Sequence, residues 1–349
     1  MVINDPFAED NMEPAEFRGY GDPSLELDPD TDTLWMSYSW LDILTSNAGA
    51  EPETDFGVRT HLARSDDGGD SFVFVRSINA TEMEAHPDTG VMGWSVHEVS
   101  TLVREPDSSW QLLWYKYFDP FGGAGEGGER QEFMFWRTLA ASPEALGDVS
   151  EVWATGKGTS PSYGAPINLS DIPELSDCVS LTEPGLFVDN GITYLATTCL
   201  VVVAGERRTD LERVVLLEQE AAGYSYVGVL LDAADAAELG ADTLDEADIS
   251  VARDGSVIML ITPIILNSDP AHQGCVVYEI TDLASAQLLR ETDGTAILRT
   301  VITADGNGLG PGLCTYDAAS STGVLLVITT FANNPRDIEF SLRATGIHP

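Results

Sequence analysis

Residues 21–40, "GDPSLELDPDTDTLWMSYSW", carry the pattern from which the fold can be read. The stretch begins with an acidic lead, alternates polar and apolar residues, turns at "DPDTD" and ends in a strongly apolar run. Alternation predicts a half-buried strand, and a turn rich in Asp and Pro between two β-rich runs predicts a hairpin. The stretch therefore predicts two antiparallel strands.

The same layout recurs four more times along the chain, in residues 97–117, 182–200, 247–264 and 310–331. Leads spaced 62 to 85 residues apart are too far apart for a solenoid repeat but suit a four-stranded propeller blade with long loops. Helical periodicity is confined to residues 232–239 and 142–146. We therefore predict an all-β chain forming a single five-bladed β-propeller over residues 1–349. The predicted blades begin at Asp22, Glu98, Glu183, Asp248 and Gly310.

A second short motif supports this fold. In "ARSDDGGDSF", residues 63–72, Asp and Gly favour a turn and the final aromatic suits re-entry into a strand. The corner is expected where the third strand of blade one turns into the fourth. Its pattern resembles the Asp-box of sialidase-like propellers, where the motif is structural. The matching residues are Ser65, Asp67, Gly69, Ser71 and Phe72.

The charge balance excludes several classes of partner. The chain has 57 acidic and 17 basic residues, a formal net charge of −40. Nucleic acid and anionic membranes would be repelled by this surface. The acidic residues are spread over the whole length, which favours a surface adapted to high salt; an ordinary acidic protein is the alternative. No apolar run approaches the ~18 residues that span a bilayer. The acidic N-terminus does not resemble a secretion signal, so the chain is expected to be cytoplasmic or already trimmed.

Four cysteines lie far apart without CxxC spacing, which argues against zinc. Each stands in or beside an apolar run, so the default expectation is a small buried residue. Cys178 and Cys199 flank one predicted hairpin and are near enough in the chain to pair.

The predicted fold brings carboxylates together. In a propeller the first strand of every blade lines the central axis, so the five leads should converge, and four of them are acidic: Asp22, Glu98, Glu183 and Asp248. Like charges at short range raise one another's pKa, and folds that gather them bind cations or perform acid–base chemistry. Glycoside hydrolysis uses such a pair, one carboxylic acid to protonate the leaving oxygen and one carboxylate to activate water or attack the sugar.

At this point "GDPSLELDPDTDTLWMSYS" and "TEPGLFVDNGITYL" resemble the blade starts of five-bladed glycoside hydrolases, families 43 and 32 especially. The resemblance implies that Asp22 is the base or nucleophile and Glu183 the general acid, with Glu98 or Asp248 adjusting pKa. Family 43 places its modulating Asp in blade three and its acid Glu in blade four, where this chain offers Glu183 and Asp248. Family 32 uses blades one, two and three, which would make Glu98 the modulator.

Sialidases are a second comparison, because their first arginine lies just before the inner strand of blade one. Arg18 and Tyr20 stand at that place here, but Asp22 follows where the sialidase lead-in is not acidic. Arg18 and Tyr20 remain candidate substrate contacts.

Further candidates for substrate contact are aromatic residues and histidines. Trp40 and Trp94 lie near predicted loops and are the best candidates for a wall against a sugar face. His97 neighbours Glu98 and should therefore face the opposite way on a strand. His272, in "NSDPAHQG", is a candidate to approach the predicted channel. The alternative is that it is an ordinary loop residue. The glycine-rich run 121–130 is predicted to be a loop over the channel.

The sequence thus predicts a glycoside hydrolase acting on a glycan, with no required cofactor. The rival prediction is a non-catalytic propeller that binds carbohydrate or holds a cation such as calcium in the channel, since oxygen-only ligands suit that ion. Neither prediction includes a nucleic-acid or membrane partner.

Overall fold

A computed structural model of the chain describes residues 2–6, 18–46, 53–121, 130–268, 271–302, 311–331 and 338–349. The first strands are β1 (Val2–Ile3), β2 (Arg18–Asp28), β3 (Thr33–Ser46), β4 (Glu53–Ser65), β5 (Phe72–Ser77), β6 (Glu82–Ala85), β7 (Met92–Arg104), β8 (Trp110–Pro120), β9 (Gln131–Ala140), β10 (Ser150–Thr155) and β11 (Ile167–Asn168). The later strands are β12 (Cys178–Asp189), β13 (Ile192–Val203), β14 (Glu206–Arg207), β15 (Arg213–Glu220), β16 (Gly223–Asp232), β17 (Thr243–Val251), β18 (Val257–Ile264), β19 (Cys275–Asp282), β20 (Gln287–Leu288), β21 (Leu298–Ile302), β22 (Pro311–Thr315), β23 (Leu325–Phe331) and β24 (Ile338–Ala344).

Helix is scarce within the described ranges. One α-helix, α1 (Ala233–Glu238), begins at the capping residue Asp232, which confirms the helix expected near residues 232–239. The helix expected near 142–146 is a single 3-10 turn, Pro143–Ala145. None of the described helices is long and apolar enough to cross a membrane.

The strands form antiparallel meanders in four sheets. The eight-stranded sheet has the order β1-β5-β4-β3-β2-β24-β23-β22, and its two halves are joined by a short parallel pairing of Arg18 with Glu339 and Gly19 with Phe340. Along the described part of the chain, the strands fall into five consecutive groups: β2–β5 with β1, β6–β11, β12–β16, β17–β21 and β22–β24. Gly310, the expected start of the fifth, lies outside the described residues.

The five groups follow one another around a ring. Their first strands, here called the inner strands, are β2, β7, β12, β17 and β22; each contacts the next, and β22 also contacts β2. Apolar side chains fill the space between consecutive groups, because each sheet can bury its face only against a neighbour. Representative pairs from the five buried clusters are Trp35 with Trp114, Leu113 with Leu217, Phe187 with Tyr278, Leu260 with Leu326, and Met36 with Leu325.

Every inner strand is interrupted by a β-bulge at the same place. The register against the second strand of the group shifts there in each case, with one further shift near the start of β12, and one non-glycine residue at the shared place adopts a left-handed backbone. Such residues are uncommon, and bulges re-aim the side chains beside them. The five bulge residues and their φ angles are Asp22 (46°), Val99 (45°), Glu183 (53°), Glu246 (60°) and Leu313 (43°).

Hydrogen bonds connect neighbouring inner strands just beyond the bulges. The side chain two residues after the bulge accepts from the backbone N–H three residues after the next bulge. These pairs are Ser24 Oγ with Leu102 (3.2 Å), Thr101 Oγ1 with Leu186 (2.9 Å), Asp248 Oδ2 with Tyr316 (3.3 Å) and Thr315 Oγ1 with Leu25 (3.1 Å).

At the remaining junction, between β12 and β17, the equivalent residue is Gly185. A Cβ there would lie 1.9 Å from the carbonyl oxygen of Ala247, so the strands approach too closely for any side chain.

The corner at residues 65–72 is a tight hairpin between β4 and β5. The Ser65 hydroxyl donates to Asp67 Oδ1 (2.7 Å), and Asp67 accepts from the Ser71 backbone (2.9 Å) and hydroxyl (2.6 Å). Phe72 is buried beneath the turn. The corner is also bonded from outside, since the backbone N–H and the hydroxyl of Ser321 both donate to the Gly68 carbonyl oxygen.

All four cysteines are paired. Cys178 bonds Cys199, the pairing that their spacing allowed, and Cys275 bonds Cys314. All four are buried, as expected. The pairing of Cys275 with Cys314 was not anticipated, since these residues are distant in the chain and meet where β19 lies beside β22.

Candidate active site

A cavity lies where the five inner strands meet. It comprises about 330 Å³ of space, part of it open to solvent, and all five strands contribute to its wall. The lining residues are 22–24, 99–101, Pro184, 246–248 and 313–314. Because the bulges turn side chains toward this cavity, the acidic bulge residues Asp22, Glu183 and Glu246 are brought into one electrostatic environment.

Asp22 forms part of the cavity wall. Burial raises the pKa of its carboxyl to about 7, and the nearby charges of Glu98 and Asp245 act in the same direction. The nearby hydroxyl of Ser39 and the backbone of Val99 oppose the rise. Asp22 is thus a carboxyl that loses its proton near neutral pH.

Glu183 is held more strongly in its protonated form. Burial raises its pKa well above the usual range, and the charges of Asp245, Glu246 and Asp22 raise it further. Its Oε2 atom is buried and has no hydrogen-bond partner among the described residues. An unpartnered buried carboxylate is costly, so the neutral acid is favoured.

Glu246, which the sequence analysis missed, occupies the same bulge position on β17. Burial raises its pKa well above the usual range, with further contributions from Asp22 and Asp245, against a hydrogen bond from Thr262. Its Oε2 atom is buried without a partner in the described structure. Its Oε1 atom lies 3.7 Å from Nε2 of His272.

The position of Glu246 in its strand resembles that of Asp22 and Glu183. Asp22 and Glu183 each stand six residues before their strand ends, at Asp28 and Asp189. Glu246 stands five residues before the end of β17 at Val251, whereas Asp248 stands three before it. In the sequence alone, Glu246 is seven residues and Asp248 five residues before the turn residue Arg253, so the distance to the turn does not choose between them.

Asp248 was expected at the position where an inner strand faces the channel, but the register of β17 places Glu246 there instead. It is two residues beyond the bulge, where it accepts from the backbone of Tyr316. Burial raises its pKa to about 7, and Asp317 contributes to the rise. Asp248 also raises the pKa of Glu26, which burial brings to about 8. Asp248 thus lies on the cavity wall, where it makes a structural hydrogen bond and interacts electrostatically with a second acidic residue, Glu26.

Glu98 directly precedes the bulge residue Val99, the position that Asp245 occupies on β17. The hydroxyl of Tyr117 donates to Glu98 Oε1 at 2.8 Å. The charge of Glu98 contributes to the raised pKa of Asp22, Glu183 and Glu246. Glu98 therefore belongs with the carboxylates of the cavity.

His97 faces away from Glu98, as the alternation of a strand predicts. Its Nδ1 accepts from Trp114 Nε1 at 2.8 Å, and its ring packs against Trp136. Burial, with a contribution from Lys116, lowers its pKa to about 3. A neutral histidine among tryptophans has a packing role.

The two tryptophans that were expected to form a wall against a sugar face lie in the protein interior instead. Trp40 and Trp94 are 3% and 6% exposed. Tyr20 packs edge-on against Trp40, with ring centroids 5.1 Å apart. Arg18 contributes its backbone to β2, and its side chain lies outside the described residues, as does most of the glycine-rich run 121–130.

The fold and the cavity together define a class: an all-β protein in which a ring of inner strands surrounds a carboxylate-lined cavity. Comparison with solved structures finds proteins of similar fold. The chain is similar to the native arabinanase Arb43A of Bacillus subtilis, at 14% identity over 94% of this chain and 95% of that chain, with a TM-score of 0.50. This likeness confirms, for the fold, the resemblance to family 43 glycoside hydrolases.

Two further similar structures have TM-scores of 0.49. One is a thermostable family-43 glycoside hydrolase (11% identity, 93% of this chain, 90% of that chain). The other is the endo-1,5-α-L-arabinanase of Thermotoga petrophila RKU-1 (11% identity, 95% of this chain, 72% of that chain). No protein-family model matches the sequence, and no curated protein matches it.

Proposed function

We propose that the five strand groups are the blades of one propeller domain spanning the chain, and that the protein is a glycoside hydrolase acting at its central cavity. The observation that carries the proposal is the placement of Asp22, Glu183 and Glu246 at one repeated bulge position around that cavity. Three acidic side chains in left-handed backbone, with raised pKa, are expensive for the fold. Such cost is typical of functional sites.

Asp22 and Glu246 serve as the reacting pair. Both line the cavity, and the charge of Asp22 helps raise the pKa of Glu246, so that ionised Asp22 favours the protonated form of Glu246. Groups whose pKa values are pushed apart in this way divide the acid and base roles. Glu246 donates its proton to the leaving oxygen, and ionised Asp22 activates water or attacks the sugar.

Glu183 sets the electrostatic field rather than donating the proton. The cavity wall at this strand is formed by its neighbour Pro184, while Glu183 and Asp22 interact through their charges. With Glu246 in place of Asp248, blades three and four offer Glu183 and Glu246. This order matches the modulator and acid positions of family 43, although Glu183 is one methylene longer than the family's Asp.

A calcium-binding module is less well supported. Calcium takes about six to eight oxygen ligands around one point. In the described part of the chain, the single set of three Asp, Glu, His or Cys ligand atoms within 4.8 Å of one another is Asp177, Cys178 and Cys199, and its two sulfurs are joined in a disulfide. No three carboxylates of the described cavity residues therefore have oxygens within 4.8 Å of one another, which is a poor arrangement for calcium.

The test compares hydrolysis of arabinan, xylan and aryl pentosides in molar-range salt by the wild type and by single variants. Arabinan comes first because the protein of similar fold is an arabinanase. Glu246→Gln should reduce glycan hydrolysis at least ~100-fold, but reduce hydrolysis of dinitrophenyl glycosides much less, since that leaving group needs no proton. Asp22→Asn should reduce both.

Asp248→Asn is the matched control, being acidic, buried and on the same strand as Glu246. It should retain most of the activity. If Glu183→Gln, and not Glu246→Gln, shows the dependence on leaving group, the proton donor is Glu183. Absence of turnover by the wild type on all of these substrates would refute the hydrolase, and calcium titration would then test the module.

A further inference from the structure

Glu98 and two side chains near it do not react in the proposed bond cleavage. Glu98 on β7, Tyr117 on β8 and Arg130, just before β9, all belong to the second strand group. The guanidinium carbon of Arg130 lies 4.3 Å from the ring centroid of Tyr117. The hydroxyl of the same tyrosine donates to Glu98 Oε1. The buried ring of Tyr117 thus contacts both the carboxylate of Glu98 and the guanidinium of Arg130.

Arg130 differs from most arginines of the chain in its lack of an ion pair with a described carboxylate. Nine other arginines form ion pairs within 4.0 Å of a carboxylate, whereas Arg130 forms none among the described residues. It is nevertheless exposed and lies in the field of Glu98 and Asp119. A guanidinium held on an aromatic face, with N–H groups that no described residue accepts from, is suited to bind a ligand.

Glu98 offers an acceptor that complements the donors of Arg130. Tyr117 is 1% exposed, and its bond fixes one carboxylate oxygen of Glu98. No described residue hydrogen-bonds the second oxygen, and the side chain is partly exposed. Vicinal hydroxyl groups of a sugar donate to a carboxylate and accept from a guanidinium, so this pair offers both halves of that recognition.

Resting on the proposed hydrolase, we propose that Glu98 and Arg130, positioned by Tyr117, form a subsite that binds a neutral sugar unit adjacent to the unit being cleaved. The substrate is therefore an oligosaccharide or polysaccharide rather than a simple monoglycoside. The net charge of −40 and the acidic cavity disfavour uronate-rich chains.

The experiment measures kcat and KM for Arg130→Ala, Tyr117→Phe and wild type on an aryl monoglycoside and on the matching oligosaccharide. Arg130→Ala should lower kcat/KM on the oligosaccharide at least tenfold more than on the monoglycoside, mainly through KM. Tyr117→Phe should show a smaller loss of the same kind, since it frees Glu98 but retains the ring.

Arg137→Ala is the matched control, because Arg137 also stacks on an aromatic ring, that of Trp153, but pairs with Glu151. It should behave as the wild type with both substrates. Equal effects of Arg130→Ala on the two substrates would overturn the subsite.

A binding measurement separates this proposal from the hydrolase. Calorimetric titration of the oligosaccharide into wild type and Arg130→Ala should show weaker binding by the variant, even if the wild type turns out to lack turnover. Unchanged affinity would overturn the subsite while leaving the hydrolase standing. Turnover absent with binding weakened would refute the hydrolase and retain the subsite.

Discussion

Asp22 shows how a single residue couples stability to function. Its folded pKa of about 7 lies above the ordinary value of 3.8, so the folded state holds this proton more tightly than the unfolded state. The stabilising effect is complete below about pH 4 and is lost as the pH rises through 7. Asp22→Asn should therefore raise the free energy of unfolding at pH 8 by roughly 1–3 kcal/mol, and change it little at pH 3.5. Denaturant unfolding at the two pH values measures this.

Asp67→Asn is a control of opposite sign. Hydrogen bonds from Ser71 and Ser65 lower the pKa of Asp67 to about 2, so its charged form contributes stability above the unfolded pKa. That variant should be less stable at pH 8. A loss of stability in Asp22→Asn at pH 8 would contradict the burial argument.

Asp245 controls the descending limb of the pH profile. Activity should rise with pH through about 7, as Asp22 ionises, and fall at higher pH, as Glu246 loses its proton. The charge of Asp245 helps raise the pKa of both Glu183 and Glu246. Asp245→Asn should move the descending limb of kcat/KM to lower pH. An unmoved limb, with activity merely reduced, would indicate a structural role instead.

At the scale of elements, the contact between β12 and β17 depends on one glycine. A side chain at Gly185 would meet the backbone of Ala247 at 1.9 Å, and backbone cannot yield as a flexible side chain can. Gly185→Ala should destabilise the fold by more than about 2 kcal/mol, because the two strands must separate. Thermal unfolding measures the change.

Gly223→Ala is the matched control for this prediction. Nothing lies within 4 Å of a Cβ at Gly223, and its backbone has an ordinary φ. The control should leave the melting temperature close to that of the wild type. Equal melting temperatures for both variants would show that the strands have room that the structure does not indicate.

At the scale of the whole molecule, the dominant quantity is the net charge of −40. Self-repulsion of the folded chain is screened over about 10 Å at 0.1 M salt and about 3 Å at 1 M. The melting temperature should therefore rise steadily between these salt concentrations. Neutral sucrose at matched water activity serves as the control and should give a smaller rise. Greatest stability without added salt would contradict adaptation to high salt.

The sequence by itself determined the broad architecture. Alternation and turn residues depend only on neighbours in the chain, so "GDPSLELDPDTDTLWMSYSW" and its repeats identified strands, hairpins and an all-β chain. The same local signals located Asp22 and Glu183, each followed by proline and a hairpin turn at a fixed distance. The short helix after Asp232 was visible for the same reason, as its cap is local.

Tertiary structure decided which carboxylates meet. A β-bulge shifts the pairing of two strands, and a shift in pairing changes which side chains reach the cavity; its position depends on contacts between strands. That is why Glu246 lies at the bulge position of Asp22 and Glu183, while Asp248 hydrogen-bonds the next inner strand. The disulfide between Cys275 and Cys314 was hidden for the same reason, since it forms where two separate strand groups come together.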